Sequence, residues 1–359
     1  MAEIQSCECS LFIEEQEKHM KIMDMHCDTI SELAERGGEL RENKGQLDLK
    51  RMRESGYLVQ NFALFVDIGK AGTPTPWERV CALYEVYRKE LEKNKDRIAP
   101  VLCYEDILKN EAGGKLSALL TVEEGAVCGG SLERLLKLYD MGVRMLTLTW
   151  NYRNELGWPA ACRRLGQSRG NVGFTQGSVL EKVQESGKNV VHGLTETGRN
   201  FVMEMEHLGM IPDVSHLSDA GFDAVWECTK KPFVASHSNA RAVCFSLRNL
   251  SDDRIRKLAE RGGCMGLNYY DKFLVDGGSS DPEVLWEAIV QQARHITDIG
   301  GMEVLGLGSD FDGIPVNPAI PGAEALPLLW ERLKTAGFTE SRLDGIFWGN
   351  VMRVYRETL

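Results

Sequence analysis

The stretch IMDMHCDTI, residues 22–30, ends an apolar run with a histidine and an aspartate two apart. His26 and Asp28 are side-chain types that ligate divalent metals, and in an alternating strand they share a face. The pattern recurs: TVEEG carries Glu123 and Glu124, DVSH ends at His216, VASHS contains His237, and GLGSDFDG contains Asp310 and Asp312. Three of the seven histidines close apolar runs in this way. One such histidine alone is more often a hydrogen-bonded rim residue. Three of them, with partnered acids, point to metal, because imidazole and carboxylate together suit zinc or a similar first-row ion. The set exceeds the needs of one tetrahedral ion, and two ions bridged by a carboxylate would use all of it. Periodicity does not choose between Glu123 and Glu124 as the bridge.

Something must bring these distant residues together. Apolar runs at 22–28, 57–66, 116–123, 143–150, 210–216, 233–238, 263–269 and 303–310 read as strands. Between them lie helical patterns: GRNFVMEMEHLG, with Phe201, Val202, Met205 and Leu208 on one face, SLERLLKLYDMG, and DPEVLWEAIVQQARHITDIG. Strands alternating with helices imply an α/β fold, a parallel sheet closed as a (β/α)8 TIM barrel. Catalytic residues of such barrels sit at the C-terminal ends of the strands, where every candidate above falls. In the first strand, alternation puts Asp24, His26 and Asp28 inward. It puts Met23, Met25 and Cys27 outward, under helices. The Gly-, Arg- and Asn-rich stretch of roughly 151–180 follows the fourth strand and reads as a lid or specificity loop over the mouth.

Composition narrows the function classes. The chain has 359 residues, 43% of them hydrophobic, and a formal net charge of −11, which disfavours an extended nucleic-acid surface. No apolar run approaches a membrane span, and the N-terminus is too acidic and interrupted for a signal peptide. A soluble, cytoplasmic protein is expected. Ten scattered cysteines form no CxxC pair and are expected to be mostly reduced and buried. His19, His192, His207 and His295 read as surface or packing residues.

The motifs DMHCDT, VEEG, MLTLTWN, GLTETGRNFVMEMEHLGMIPDVSH, SHSNARAVCFSLRNL, GLGSDFDG and GNVMRVY together resemble the membrane (renal) dipeptidase family, the M19 zinc peptidases of the amidohydrolase superfamily. The resemblance runs from about residue 20 to 359, leaving 1–19 as an extension and 20–359 as one metal-dependent hydrolase domain. It implies a dipeptidase with two zinc ions per chain that hydrolyses its substrate by a metal-bridging hydroxide. His26 and Asp28 would bind the first ion, His216 and His237 the second, and Glu123 both. Asp310 would handle the proton of the attacking water, with Arg248 gripping the substrate's C-terminal carboxylate. Vertebrate members have a histidine after LTLT; this chain has Trp150, followed by Asn151, here a candidate substrate contact. The implied partners are a dipeptide and, at the level of the family, a second copy in a homodimer. Alternatives are hydrolysis of other amides, β-lactams or lactones at the same site, and a non-catalytic metal-binding scaffold. Lactonases and deaminases of related type commonly carry His-x-His in the first strand, where this chain has His-x-Asp.

Overall fold

The computed structural model describes residues 20–70, 74–161 and 192–359. Its strands are β1 (Ile22–Cys27), β2 (Tyr57–Phe65), β3 (Ile98–Pro100), β4 (Leu116–Glu123), β5 (Val143–Thr147), β6 (Ile211–Asp213), β7 (Val234–Ala235), β8 (Cys264–Leu267) and β9 (Leu305–Leu307). All pairings between them are parallel, and contact between β2 and β4 closes the ring. Eight strands form the barrel. The ninth, β3, lies alongside the start of β4 through Ile98–Pro100 opposite Leu116–Ala118. A three-residue strand ending in proline has too little period to be legible in sequence. The (β/α)8 barrel expected from the alternation is the observed fold.

Helices between the strands cover the ring. Glu196–Leu208 buries Phe201, Val202 and Met205 as its spacing requires; Thr195 caps it by accepting the Gly198 N–H, and Gly209 ends it in the left-handed region at φ 77°. Pro282–Gly300 starts from the Asp281 cap and Leu132–Asp140 buries Leu135 and Leu138. Each such aliphatic or aromatic side chain contributes about 1.5–3 kcal/mol on full burial. The last helix, Asn350–Thr358, closes the bottom of the barrel. Val351, Val354 and Tyr355 pack there against residues of seven strands, Met23, Met25, Val59, Leu119, Met145, Ile211, Val234 and Cys264. Side chains from opposite strands can meet in this way only inside the ring.

That cluster corrects one expectation. Met23 and Met25 face the barrel interior, whereas Cys27 packs in the layer between strands and helices. The register explains the change of face: Asp24 pairs with Gln60 and Cys27 with Phe62, so β1 takes three steps where β2 takes two. The extra residue is a β-bulge, which reverses the alternation. Asp24 lies on the outward side, where its Oδ1 accepts the N–H groups of His26 (3.2 Å) and Ser309 (2.9 Å). The bulge turns His26 inward.

Candidate metal centre

The strands end earlier than their apolar runs imply, and most of the candidate ligands stand in the loops just beyond them. Asp28 follows β1 directly, His216 and Asp310 lie three residues past β6 and β9, and His237 lies two past β7. His216 and Asp310 have left-handed backbones, φ 67° and 63°. Such conformations are uncommon for non-glycine residues and concentrate at functional sites. Here they accompany side chains that reach Glu123, in the case of His216, and His26, in the case of Asp310. Glu123 is the last residue of β4.

The side chains converge on one buried carboxylate. Oε2 of Glu123 lies 3.5 Å from His26 Nε2, and Oε1 lies 3.0 Å from His216 Nε2 and 3.7 Å from His237 Nε2. Around His26 Nε2 stand Asp28 Oδ2 at 3.5 Å and Asp310 Oδ1 at 3.8 Å. Gly313 permits this crowding, since a Cβ there would come within 2.1 Å of Asp28 Oδ2 and 2.6 Å of Asp310 Oδ1. Two ligand sets, His26–Glu123–His237 and His26–Asp28–Asp310, each have their ligand atoms within 4.8 Å of one another.

Two histidines have their tautomers set from behind. His216 Nδ1 lies 3.2 Å from Asn151 Oδ1, an acceptor, so it carries the proton and Nε2 keeps its lone pair. His237 Nδ1 lies 2.8 Å from Ser236 Oγ, whose own proton goes to Asp213 at 2.6 Å. The two Nε2 atoms are only 3.1 Å apart. On the other side, the buried His26 Nε2 and Asp28 Oδ1 have no hydrogen-bond partner. Unshared lone pairs facing each other in a buried pocket are unfavourable without a cation. The donor set therefore fits divalent metal.

Burial pushes Glu123 up to about 7, against the pull of His26, and Asp310 up to about 6. Burial alone would lower His26, but the neighbouring carboxylates of Glu123 and Asp28 hold it well above the usual histidine range. Burial, aided by His26 and Arg248, holds His237 well below it.

The neighbouring residues divide clearly. Glu124, at φ 105°, turns away from the histidines. Its carboxylate accepts from Ala126 N, Trp150 N and Asn154 Nδ2, bracing the loop after β5, and burial raises it to about 7. Asp312 accepts Thr29 Oγ1–H and Gln46 N–H, both at 2.6 Å, and is a brace of the same kind. A cavity of about 610 Å³ opens over the centre, lined among others by Glu123, Trp150, Asn151, His216, Arg248 and Asp310. Arg248 is 3% exposed, and its Nε has no hydrogen-bond partner. Its Nη2 reaches the His237 carbonyl at 3.2 Å, no carboxylate among the described residues pairs with it, and burial lowers its pKa to about 10. Trp150 packs edge-on against Phe65 and 6.2 Å from His216. Sequence reading passed over Asn268, which donates to Asp310 Oδ2 at 2.9 Å, and Ser236. The adjacency of Ser236 to His237 was a signal. Asn268 had none, because its contact spans 42 residues.

Residues 1–19, with Cys7, Cys9 and His19, and 162–180 of the expected lid lie outside the described residues. The seven described cysteines are free. His192 stacks on Trp158 and His295 pairs with Asp252. No helix among the described residues is long and apolar enough to cross a membrane.

A closed parallel barrel with imidazoles and carboxylates converging past its strand ends defines a metal-dependent hydrolase of the (β/α)8 type. The chain belongs to the membrane dipeptidase family, peptidase family M19, which it matches over residues 12–359. Two of its curated relatives carry the name dipeptidase. An uncharacterised dipeptidase of Schizosaccharomyces pombe is 29% identical, covering 95% of this chain and 81% of that protein. Dipeptidase aclJ of Aspergillus oryzae is 27% identical over 86% of this chain and 69% of its own. Among solved structures, dipeptidase AC, a metallopeptidase of family M19, superposes with a TM-score of 0.80 at 26% identity, covering 95% of this chain and 99% of that one. A metallopeptidase of Rhodobacter sphaeroides, liganded with a phosphinate mimic of the dipeptide L-Ala-D-Ala, gives 0.79 at 25% identity, covering 95% and 100%.

Proposed function

We propose that this chain hydrolyses dipeptides with two divalent ions, most naturally zinc, and that residues 20–359 act as one catalytic domain. His26 and Asp28 would hold one ion, His216 and His237 the other, and Glu123 both. The observation that carries this reading is the division of Glu123: Oε2 faces His26, and Oε1 faces His216 and His237. When bound, such ions supply Lewis acidity and lower the pKa of water toward neutrality.

The chain's own residues would do the rest. Asp310, held by Asn268 and raised to about 6, can take a proton from the attacking water and return it to the leaving amine near neutral pH. Arg248, buried and without a carboxylate partner among the described residues, is suited to a substrate's free C-terminal carboxylate. That anchor favours dipeptides over internal peptide bonds. The phosphinate dipeptide mimic held by the Rhodobacter sphaeroides relative supports the same substrate class.

The test joins metal analysis to a small dipeptide library assayed as free acids and as C-terminal amides. Two equivalents of metal and preference for the acids are expected. One tightly bound ion with full activity would sink the two-metal reading, and amides cleaved as well as acids would make the protein a broader amidase. Removing one partner of a buried charge pair costs about 2–5 kcal/mol. Arg248→Ala should therefore lower kcat/KM for acids by roughly 30-fold to several thousand-fold while hardly touching amides.

A further inference from the structure

Below the metal centre, inside the barrel, lies a carboxylate with no place in the chemistry above. Asp213, the last residue of β6, is fully buried. It accepts four hydrogen bonds: Ser215 N and Ser236 N at 2.9 Å on Oδ1, Thr147 Oγ1 and Ser236 Oγ at 2.6 Å on Oδ2. Both backbone donors are fixed, so the carboxylate's orientation is fixed with them.

We infer that Asp213 is a positioning residue that sets the metal-binding tautomer of His237 through the Ser236 hydroxyl. A carboxylate has no proton to give back, so Ser236 must spend its single proton on Oδ2. Ser236 Oγ is then only an acceptor toward His237 Nδ1, 2.8 Å away. Nδ1 must carry the ring proton, and Nε2, facing Glu123 Oε1, keeps its lone pair. Ser215 Oγ holds the same residue from its main chain, accepting His237 N–H at 3.1 Å. Ser236 Oγ also lies 3.3 Å from Ser215 Oγ, and with its own proton on Asp213 it can only accept there, so the direction of every bond in this chain follows from one buried acceptor. Groups behind a metal-bound histidine commonly act in this way, with effects of roughly 10–100-fold on metal affinity. The inference rests on His237 being a ligand, but the tautomer itself can be read without metal.

Asp213→Asn is the informative change. Its Oδ1 can keep both backbone bonds, but its amide now donates to Ser236 Oγ. The serine proton is released to Nδ1, and the ring proton moves to Nε2. In metal-free protein, imidazole nitrogen shifts should report Nδ1–H at His237 in the wild type and Nε2–H in Asp213→Asn. Zinc titration should then show one of the two sites weakened by roughly 10–100-fold. Adding Ser236→Ala to Asp213→Asn removes the misdirecting hydroxyl and should recover part of that affinity, which a merely damaged fold would not do. Thr147→Val, which also deprives Asp213 of a partner, should leave the tautomer unchanged and shows whether packing loss alone can move it. Nδ1–H retained in Asp213→Asn, or no recovery in the double variant, would overturn the inference. If Asp213→Asn does not fold, Ser236→Ala alone must yield mixed tautomers at His237, and an unchanged Nδ1–H would overturn it equally. A switched tautomer with zinc affinity unaltered would instead refute His237 as a ligand.

Discussion

The two sides of the barrel mouth are built differently. On the β1–β9 side, His26 shares its pocket with Glu123, Asp28 and Asp310, and two buried atoms, His26 Nε2 and Asp28 Oδ1, have no hydrogen-bond partner. On the β6–β7 side, His216 and His237 share one oxygen of Glu123, and each has its Nδ1 occupied, by Asn151 and by Ser236. The first side has clustered carboxylates whose negative charge a cation would balance. The second is aligned in advance by neutral hydrogen bonds. One barrel rim thus supports two ways of preparing a candidate metal ligand, electrostatic and geometric.

Glu123→Ala strikes both sides and should have the largest effect. Metal content should fall to near zero in chelator-buffered zinc. Hydrolysis should drop by more than the roughly 10⁴-fold that loss of a general base can cause. Retention of one full equivalent would show that the two sides do not depend on the same carboxylate.

Asp310→Asn touches the acidic side alone. It keeps the shape but removes a base, so kcat should fall by roughly 10²–10⁴-fold with metal content near wild type. Metal lost in parallel would make Asp310 chiefly a ligand.

Asn151→Ala tests the aligned side. His216 would lose its Nδ1 acceptor, and one of two metal affinities should weaken by roughly 10–100-fold while the other stays. A fall in KM-dependent substrate affinity with both metals intact would instead make Asn151 a substrate contact, the role expected for it from sequence.

The smallest effect is on stability, and its sign separates the two sides. Glu123, raised to about 7, and His26, raised above the histidine range, both hold protons in the folded chain that the unfolded chain has released. Metal-free stability should therefore decline as pH rises from about 4.5 through about 7 as Glu123 gives up its proton, and His26 carries the decline on above 6.5. His237, whose pKa is lowered, acts in the opposite sense only below about 6.5, where the unfolded histidine is protonated. Added zinc needs deprotonated ligands, so its stabilisation should grow over the same range. Thermal melts with chelator and with zinc check both slopes; a chelated melt that rises with pH would refute the electrostatic account of the β1–β9 side.

The residue types and their positions at the ends of apolar runs determined the candidate site, because ligand chemistry belongs to side chains and strand ends are local features. The alternation of runs and helical patterns likewise determined the barrel. Three things needed the tertiary structure. Glu123 and Glu124 are adjacent and chemically alike, and periodicity did not separate them; the family resemblance favoured Glu123, but the physical reason is the backbone turn at φ 105°, which sends Glu124 to Trp150 and Asn154. Alternation alone gave Met23 and Met25 the wrong face, because the bulge in β1 is visible only in its register with β2. The tautomers of His216 and His237 depend on partners brought close by the barrel, Asn151 among them, 65 residues away from His216. Periodicity and chemistry are written residue by residue, whereas register, face and hydrogen-bond direction belong to pairs of distant segments and exist only once the ring has closed.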